Sequence, residues 1–363
     1  MKIVAERKGN IHWRALEIDS HRVSHLAIYD HVMRIGPARF KMGGIAGVST
    51  NYQHRNKGYS RIVMEDSVKW MYDNGYVVST LHGIEYFYEK FDFANCMAQA
   101  VAKVRTRDAE VVLKEKHPFT IRAAKDSDFA KVLRLYNTAN ALRPLTIARK
   151  TGSWRGIRHG SAFKHPGSCH IVELRGKFAG YFVCDDLPEM TTACEVEVTD
   201  DRAAVAVLAY LVREAIARRD GYVSVQLPPD HAFLATLRRF GCEVTITYKN
   251  TGGIMGRIIN QDALLATLAT EYAKLRKTNL KNSAAVTVVT ELGKTRVACP
   301  GATRNSHGRL SIPATTLFQV LVGFRTAAEA LVSPGVKASS GGEKILAFLR
   351  PQQAPYMYSV DYF

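Results

Sequence analysis

The sequence predicts an α+β protein of three units, and three observations carry that prediction. Within the first hundred residues the apolar period switches from strand to helix and back to strand. The same order of elements recurs after a charged stretch at 105–117, and a third segment with its own strands and helices follows a glycine-containing stretch at 250–256. With 363 residues, 47% hydrophobic and 23% charged, the chain is long enough for two or three packed cores and too apolar for disorder.

In the first unit, residues 22–29 and 43–48 read as strands, with apolar residues and glycines that suit a sheet. From Tyr59 to Asn74, Val63, Trp70 and Met71 fall at helical spacing with Ser67 on the same face, and Gly75 sits where a helix C-cap belongs. The β-branched run 76–81 then completes a βαβ unit. The stretch 105–117 has few clustered apolar residues and reads as a linker. The second unit has a strand at 118–122, a helix opened by Asp126-Ser127-Asp128, a hairpin around Arg175-Gly176-Lys177 and a strand at 194–198. A helix at 203–219 follows with Leu208, Leu211, Val212 and Ile216 on one side, then a strand at 222–227 and a helix at 231–240. The third unit starts with a helix near 261–276. Strands near 285–290 and 296–299 are joined by a hairpin turn placed at Gly293-Lys294, and Ile312-Pro313-Ala314 opens a helix with an apolar face over 318–324. The tail stays aromatic to its last residue, which argues for docking rather than fraying.

Six cysteines lie far apart, with no C-x-x-C pair and no His cluster at ligand spacing, so the sequence offers no zinc or disulfide framework. No apolar run reaches the ~20 residues of a membrane helix. The amino end lacks a signal-peptide layout, and the expectation is a soluble, cytoplasmic protein. A formal charge of +17 favours an anionic partner. The basic stretches, Arg149-Lys150, 155–159, Arg218-Arg219 and 274–281, are scattered without aromatic interleaving, which reads as a solvated face and argues against nucleic acid.

The segment 47–61 carries the chemistry. A strand ends, a donor-rich basic turn follows, Gly58 sits at the bend, and a helix begins. Backbone N–H groups at such a point lack intrahelical partners and face one spot, where the helix dipole favours an anion. Arg55 and Lys57 add positive charge, and Gly58 allows close backbone approach, so this is an expected phosphate site that needs no metal.

Arg55-Asn56-Lys57-Gly58-Tyr59-Ser60 resembles the R-x-x-G-x-G/A pyrophosphate loop of the GNAT superfamily of acetyl-CoA-dependent N-acetyltransferases, with Ser60 at the usual small position. Gly43-Gly44-Ile45-Ala46-Gly47-Val48 resembles that family's central strand, and Tyr88-Glu89-Lys90-Phe91-Asp92-Phe93 its Y-x-x-F-x-F segment. Over nearly the whole chain the order of units is similar to the three-domain acetyltransferases typified by the enhanced intracellular survival protein. The resemblance implies an acetyl-CoA-binding GNAT domain over 1–110, a degenerate GNAT-like domain over 117–255 and a sterol-carrier-like domain over 260–363. In the second of these, Thr199-Asp200-Asp201-Arg202-Ala203-Ala204 stands where a cofactor loop would be, with two acids and no glycine. Residues 1–46 carry no clear amphipathic helix, although the family usually has two there.

What the resemblance implies about the site follows residue by residue. Acetyl-CoA, the only cofactor implied, would contact Val48, Thr50, Arg55, Asn56, Lys57, Gly58, Tyr59 and Ser60. Val48 would polarise the thioester carbonyl through its N–H. Tyr88 would be the general acid that reprotonates the thiolate, with Tyr86 and Glu85 as rivals. The α-carboxylate of Phe363 would be the general base, with His82 and Asp361 as alternatives. His54, beside Arg55, reads as a rim or solvent residue. The implied reaction is direct transfer to a primary amine in a ternary complex, in a homo-oligomer, with a non-catalytic CoA- or lipid-binding module as the alternative.

Overall fold

The computed structural model of the chain describes residues 1–152, 154, 156–185, 191–279, 284–300 and 308–363. Arg155, Leu280 and Lys281, which belong to two of the basic stretches, lie outside the described residues.

The first unit begins with an antiparallel meander of β1 (Lys2–Lys8), β2 (Ile11–Ile18), β3 (His21–Ile35) and β4 (Ala38–Thr50). No α-helix precedes α1 (Tyr59–Asp73), which buries Val63, Ser67 and Met71 of the predicted stripe and Met64 besides, while Trp70 is only half-buried. Gly75 ends it at φ +75°, and β5 (Val78–Gly83) then runs parallel to β4. After β6 (Ala94–Asn95), β7 (Gln99–Arg105) leaves for the second sheet.

The stretch read as a linker is helical instead: α2 (Thr106–Ala109) continues into a 3-10 turn at Glu110–Lys114. Its few apolar residues decide this, because Ala109 and Val112 recur at helical spacing and are fully buried. The second unit continues with β8 (Phe119–Ala123), α3 (Phe129–Ala139), β9 (Gly167–Leu174), β10 (Lys177–Asp185), β11 (Thr192–Val198), α4 (Asp201–Arg218), β12 (Tyr222–Val225), α5 (Phe233–Arg238) and β13 (Cys242–Thr247). On α4, Leu208, Leu211 and Val212 are buried, while Ile216 is 43% exposed and Ala215 takes the buried place in the last turn.

β14 (Gly253–Ile258) then crosses back to pair with β5 and β6. The first sheet therefore has the order β1-β2-β3-β4-β5-β14-β6 and the second β13-β7-β12-β11-β10-β9-β8, so the two exchange strands and share one continuous core.

The third unit comprises α6 (Gln261–Leu275), β15 (Ala285–Thr290), β16 (Gly293–Ala298), β17 (Gly308–Ser311), α7 (Ala314–Leu321), α8 (Ala327–Leu331), β18 (Lys337–Ala338) and α9 (Ser340–Leu349). Its sheet has the order β16-β15-β17-β18. The hairpin turn is Glu291-Leu292 rather than Gly293-Lys294: Thr290 pairs with Gly293, and glycine opens the return strand at φ +133°. No helix among the described residues is long and apolar enough to cross a membrane.

The third unit presses on the first at glycines, Gly36 against Tyr272 of α6 and Gly256 against α7. A Cβ on Gly256 of β14 would run into the ring of Phe318 on α7, which is fully buried. Gly256→Val is therefore expected to destabilise the protein by roughly 1–3 kcal/mol through overpacking, read as a lower urea midpoint. An unchanged midpoint would mean that the two units are not packed together there.

Candidate active site

The site starts with a fork between two parallel strands. β4 and β5 pair from Met42↔Val78 to Ile45↔Leu81, and there the pairing stops although β4 runs on to Thr50. Past Leu81, β5 keeps its other edge on β14, with Gly83 opposite Gly253. On β4's other side the register slips: Ala27 pairs with Ala46 but His25 with Ser49, so β4 carries one extra residue. That bulge sits at Gly47, φ +58°, a conformation that glycine adopts without strain. Bulge and fork together leave the β5-facing backbone edge of β4 around Val48 unpaired, as a polar slot for an extended ligand.

The slot leads into the basic loop. A 3-10 turn, Tyr52–His54, precedes Asn56 at φ +61° and Gly58 at φ +78°. Gly58 is the N-cap of α1 with no side-chain capping bond and no acid in the first turn, so the helix's first N–H groups face outward. Arg55 lies over the Tyr52 ring at 5.4 Å, and its Nε donates to the Thr50 carbonyl at 3.3 Å. Arg55 and Lys57 are exposed and ion-pair with no described carboxylate. The Thr50 hydroxyl is engaged with Ser24 Oγ at 2.9 Å. Tyr59 and Ser60 are half-buried in the first turn, and the His54 ring lies 6.1 Å from that of Tyr59. The equivalent helix of the second unit is closed to anions: Asp200 caps α4, its Oδ1 accepting from the Ala203 N–H at 2.9 Å.

Tyr88 is 7% exposed and belongs to the apolar cluster beneath α1, its ring edge-on to Phe87 and Phe93. None of the described residues hydrogen-bonds its hydroxyl, and burial pushes the phenol's pKa up. Of the rivals, Tyr86 is 78% exposed and Glu85 is also exposed.

The carboxyl end reaches the opposite face of the same sheet. Ile28 and Ile45 pair across β3 and β4 and point toward α1, whereas the next pair, Tyr29 and Gly44, points the other way. The Phe363 ring lies there, 5.8 Å from Tyr29 and 5.2 Å from His31, and a Cβ on Gly44 would approach it to 2.6 Å. Tyr88 and Phe363 are thus not in contact; they flank the sheet on the two sides of the fork. His82, one residue past the last β4–β5 pair, stacks edge-on to Tyr362 at 5.5 Å, and burial together with Lys249 holds its pKa down.

Aromatic contacts alone do not hold the tail. Arg149, with a fully buried side chain, donates from Nη1 and Nη2 to the Glu195 carboxylate at 2.7 Å each, and from Nε and Nη2 to Asp361 at 2.8 and 2.9 Å. Tyr136 donates to Asp361 at 3.1 Å, and Arg34 is buried beside them, bonded to the Ile147 carbonyl at 2.9 Å. Burial pushes the Glu195 carboxyl up while Arg149 pulls it back. The Tyr356 N–H donates to the Pro144 carbonyl at 2.9 Å, continuing the anchor along the chain. Asp361 thus accepts three hydrogen bonds, two of them from a buried guanidinium, and is no free base. The Phe363 carboxylate, two residues on, ion-pairs with no described residue. Sequence reading missed Arg149 and Glu195, 46 positions apart, because Arg149 reads as part of a surface basic pair and Glu195 as an alternation in a strand.

Residues 5–96 match the family model of the acetyltransferase (GNAT) domain. The first unit, with its bulged central strand, fork and uncapped helix, is an acetyltransferase domain of the GNAT family. The chain as a whole shares its fold with a GCN5-related N-acetyltransferase from Kribbella flavida, at 18% identity and a TM-score of 0.72 over 97% of this chain and 88% of that one. A GCN5-related N-acetyltransferase from Anabaena variabilis matches at 13% identity and a TM-score of 0.72, covering 97% and 89%. Eis1 from Mycobacterium abscessus matches at 14% and 0.69, covering 97% and 90%. No curated protein matches the sequence significantly. At these identities the likeness is one of fold, with two GNAT-like sheets in tandem followed by the third, smaller sheet.

Removing one partner of a buried ion cluster leaves an uncompensated charge. Asp361→Ala is expected to cost roughly 3–5 kcal/mol in urea denaturation, whereas Lys57→Ala, on an exposed loop, should stay within about 0.5 kcal/mol. Equal stabilities for the two variants would contradict the anchoring role of Arg149.

Proposed function

We propose that the chain is an acetyl-CoA-dependent N-acetyltransferase that transfers the acetyl group to a primary amine by direct attack in a ternary complex. The observation that carries this reading is the fork: an unpaired, bulged strand end leading into an uncapped, cationic helix start, with a buried phenol on one face of the sheet and a chain-terminal carboxylate on the other. The backbone at 47–50 suits an extended amide-bearing arm, and the N–H groups at Gly58, Tyr59 and Ser60 with Arg55, Asn56 and Lys57 suit a pyrophosphate.

Acetyl-CoA, when bound, supplies the activated acetyl group. The Val48 N–H is the donor for the carbonyl oxygen as negative charge develops there. The Phe363 carboxylate accepts the amine's proton. Tyr88, its pKa raised above the ordinary 10 by burial, keeps its proton at neutral pH and gives it to the departing sulfur. Acid and base on opposite faces let the amine enter from one side while the thiol is protonated from the other. We further infer a cytoplasmic homo-oligomer, from the resemblance to the three-domain acetyltransferases, in which the sterol-carrier-like third unit serves to deliver the terminus.

Tyr88→Phe and deletion of Phe363 should each lower kcat by about a hundredfold or more while acetyl-CoA still binds. The pH profile of kcat/KM should show no loss of the acid below about pH 10, because burial raises the Tyr88 pKa rather than lowering it. Full activity in both variants would overturn the acid and base assignments and bring the non-catalytic binding reading forward.

A further inference from the structure

Resting on the acetyltransferase reading, the cavity beside Phe363 identifies the class of acceptor. It measures about 490 Å³, within the range of small-ligand pockets, and Tyr29, His31, Trp154 and Phe363 line it with rings. The charges around it are uneven. Both wall carboxylates are already engaged: Asp30 accepts from Tyr76 and faces His12 Nε2 at 3.0 Å, and Asp361 is held by Arg149 and Tyr136. Four Lys and Arg side chains line the cavity: Arg149 is held by Glu195 and Asp361, Lys150 has a contact of its own, and Lys41 and Arg158 ion-pair with no described carboxylate. Lys41 sits over the Tyr76 ring at 4.0 Å and donates to the Asn74 carbonyl at 3.0 Å, which fixes its position; it is near enough to Asp30 to help hold that carboxyl's pKa down, but forms no ion pair with it.

Among the described residues, the Phe363 carboxylate is the one at the cavity without an ion pair. An acceptor that satisfies all of this carries one amine for Phe363, a flat apolar body for the rings and one negative charge for Lys41 and Arg158. We propose that the acceptor is a small aromatic amino acid, acetylated on its single amine, and not a polyamine or aminoglycoside, whose further positive charges would face Lys41 and Arg158 unpaired. In the transfer the amine nitrogen bonds the acetyl carbon as the C–S bond breaks; the amine's proton passes to the Phe363 carboxylate, and the sulfur takes its proton from Tyr88.

The test is thiol release by the full chain at saturating acetyl-CoA with phenylalanine, phenethylamine and spermidine, alongside calorimetric binding of the three amines. Phenylalanine should exceed phenethylamine by about tenfold or more in kcat/KM, the effect expected for a charge-assisted contact, and spermidine should be poorest. Arg158→Glu, at an exposed position, should shrink or invert the phenylalanine-to-phenethylamine ratio. Phenethylamine or spermidine used as well as phenylalanine would overturn the acceptor assignment alone. Bound acetyl-CoA with no turnover of any amine would count against the acetyltransferase reading; calorimetry then decides the acceptor class, and equal or absent binding of phenylalanine and phenethylamine would overturn it.

Discussion

One guanidinium ties the chain's tail to the second unit. Arg149 is fully buried and spans Glu195, on the second unit's sheet, and Asp361, in the carboxy-terminal tail. With Arg34 beside them, two buried cations balance two buried anions. Such a cluster tolerates few alternative arrangements, since displacing any member leaves a charge in the core without its partner. The consequence is positional: once Asp361 is fixed, Phe363 can reach only as far as Tyr29, His31 and Gly44 on the first sheet.

The two GNAT-like sheets put the same geometry to different uses. Each has a strand, a helix and a second parallel strand that pairs only at the start, Ile45↔Leu81 being the last such pair in the first unit and Ala193↔Val225 in the second. In the first unit the space beyond the split stays open and the following helix starts with an uncapped glycine. In the second, Glu195 stands just past the split with the tail against it, and Asp200 caps the helix with a carboxylate. A fold that leaves a strand edge and a helix start open in one copy thus serves as the socket for the chain's own terminus in the other.

Much of this was legible in the sequence because it depends on local rules. The α1 stripe of Val63, Ser67 and Met71, the glycines at 58 and 75, and the acidic start of α4 each follow from helix period and capping chemistry. The linker reading of 105–117 failed because charge composition outweighed two apolar residues at helical spacing. The hairpin turn was misplaced by two residues because its glycine opens the return strand instead of occupying the turn. The strand exchange between the sheets and the Arg149 cluster were not legible, since both depend on pairings across dozens to hundreds of residues that no local pattern encodes. The amino end is a meander of strands with no α-helix before α1, and the cavity beside Phe363 is walled by the second unit and the tail as well as by β3 and β4.

The central claim is that the fork and loop of the first sheet bind acetyl-CoA, and calorimetric titration of the full chain tests it most directly. The account predicts one site per chain, abolished by Gly58→Glu, whose carboxylate and bulk would occupy the uncapped helix start. Absence of binding by the intact chain, or binding that survives Gly58→Glu unchanged, would contradict it.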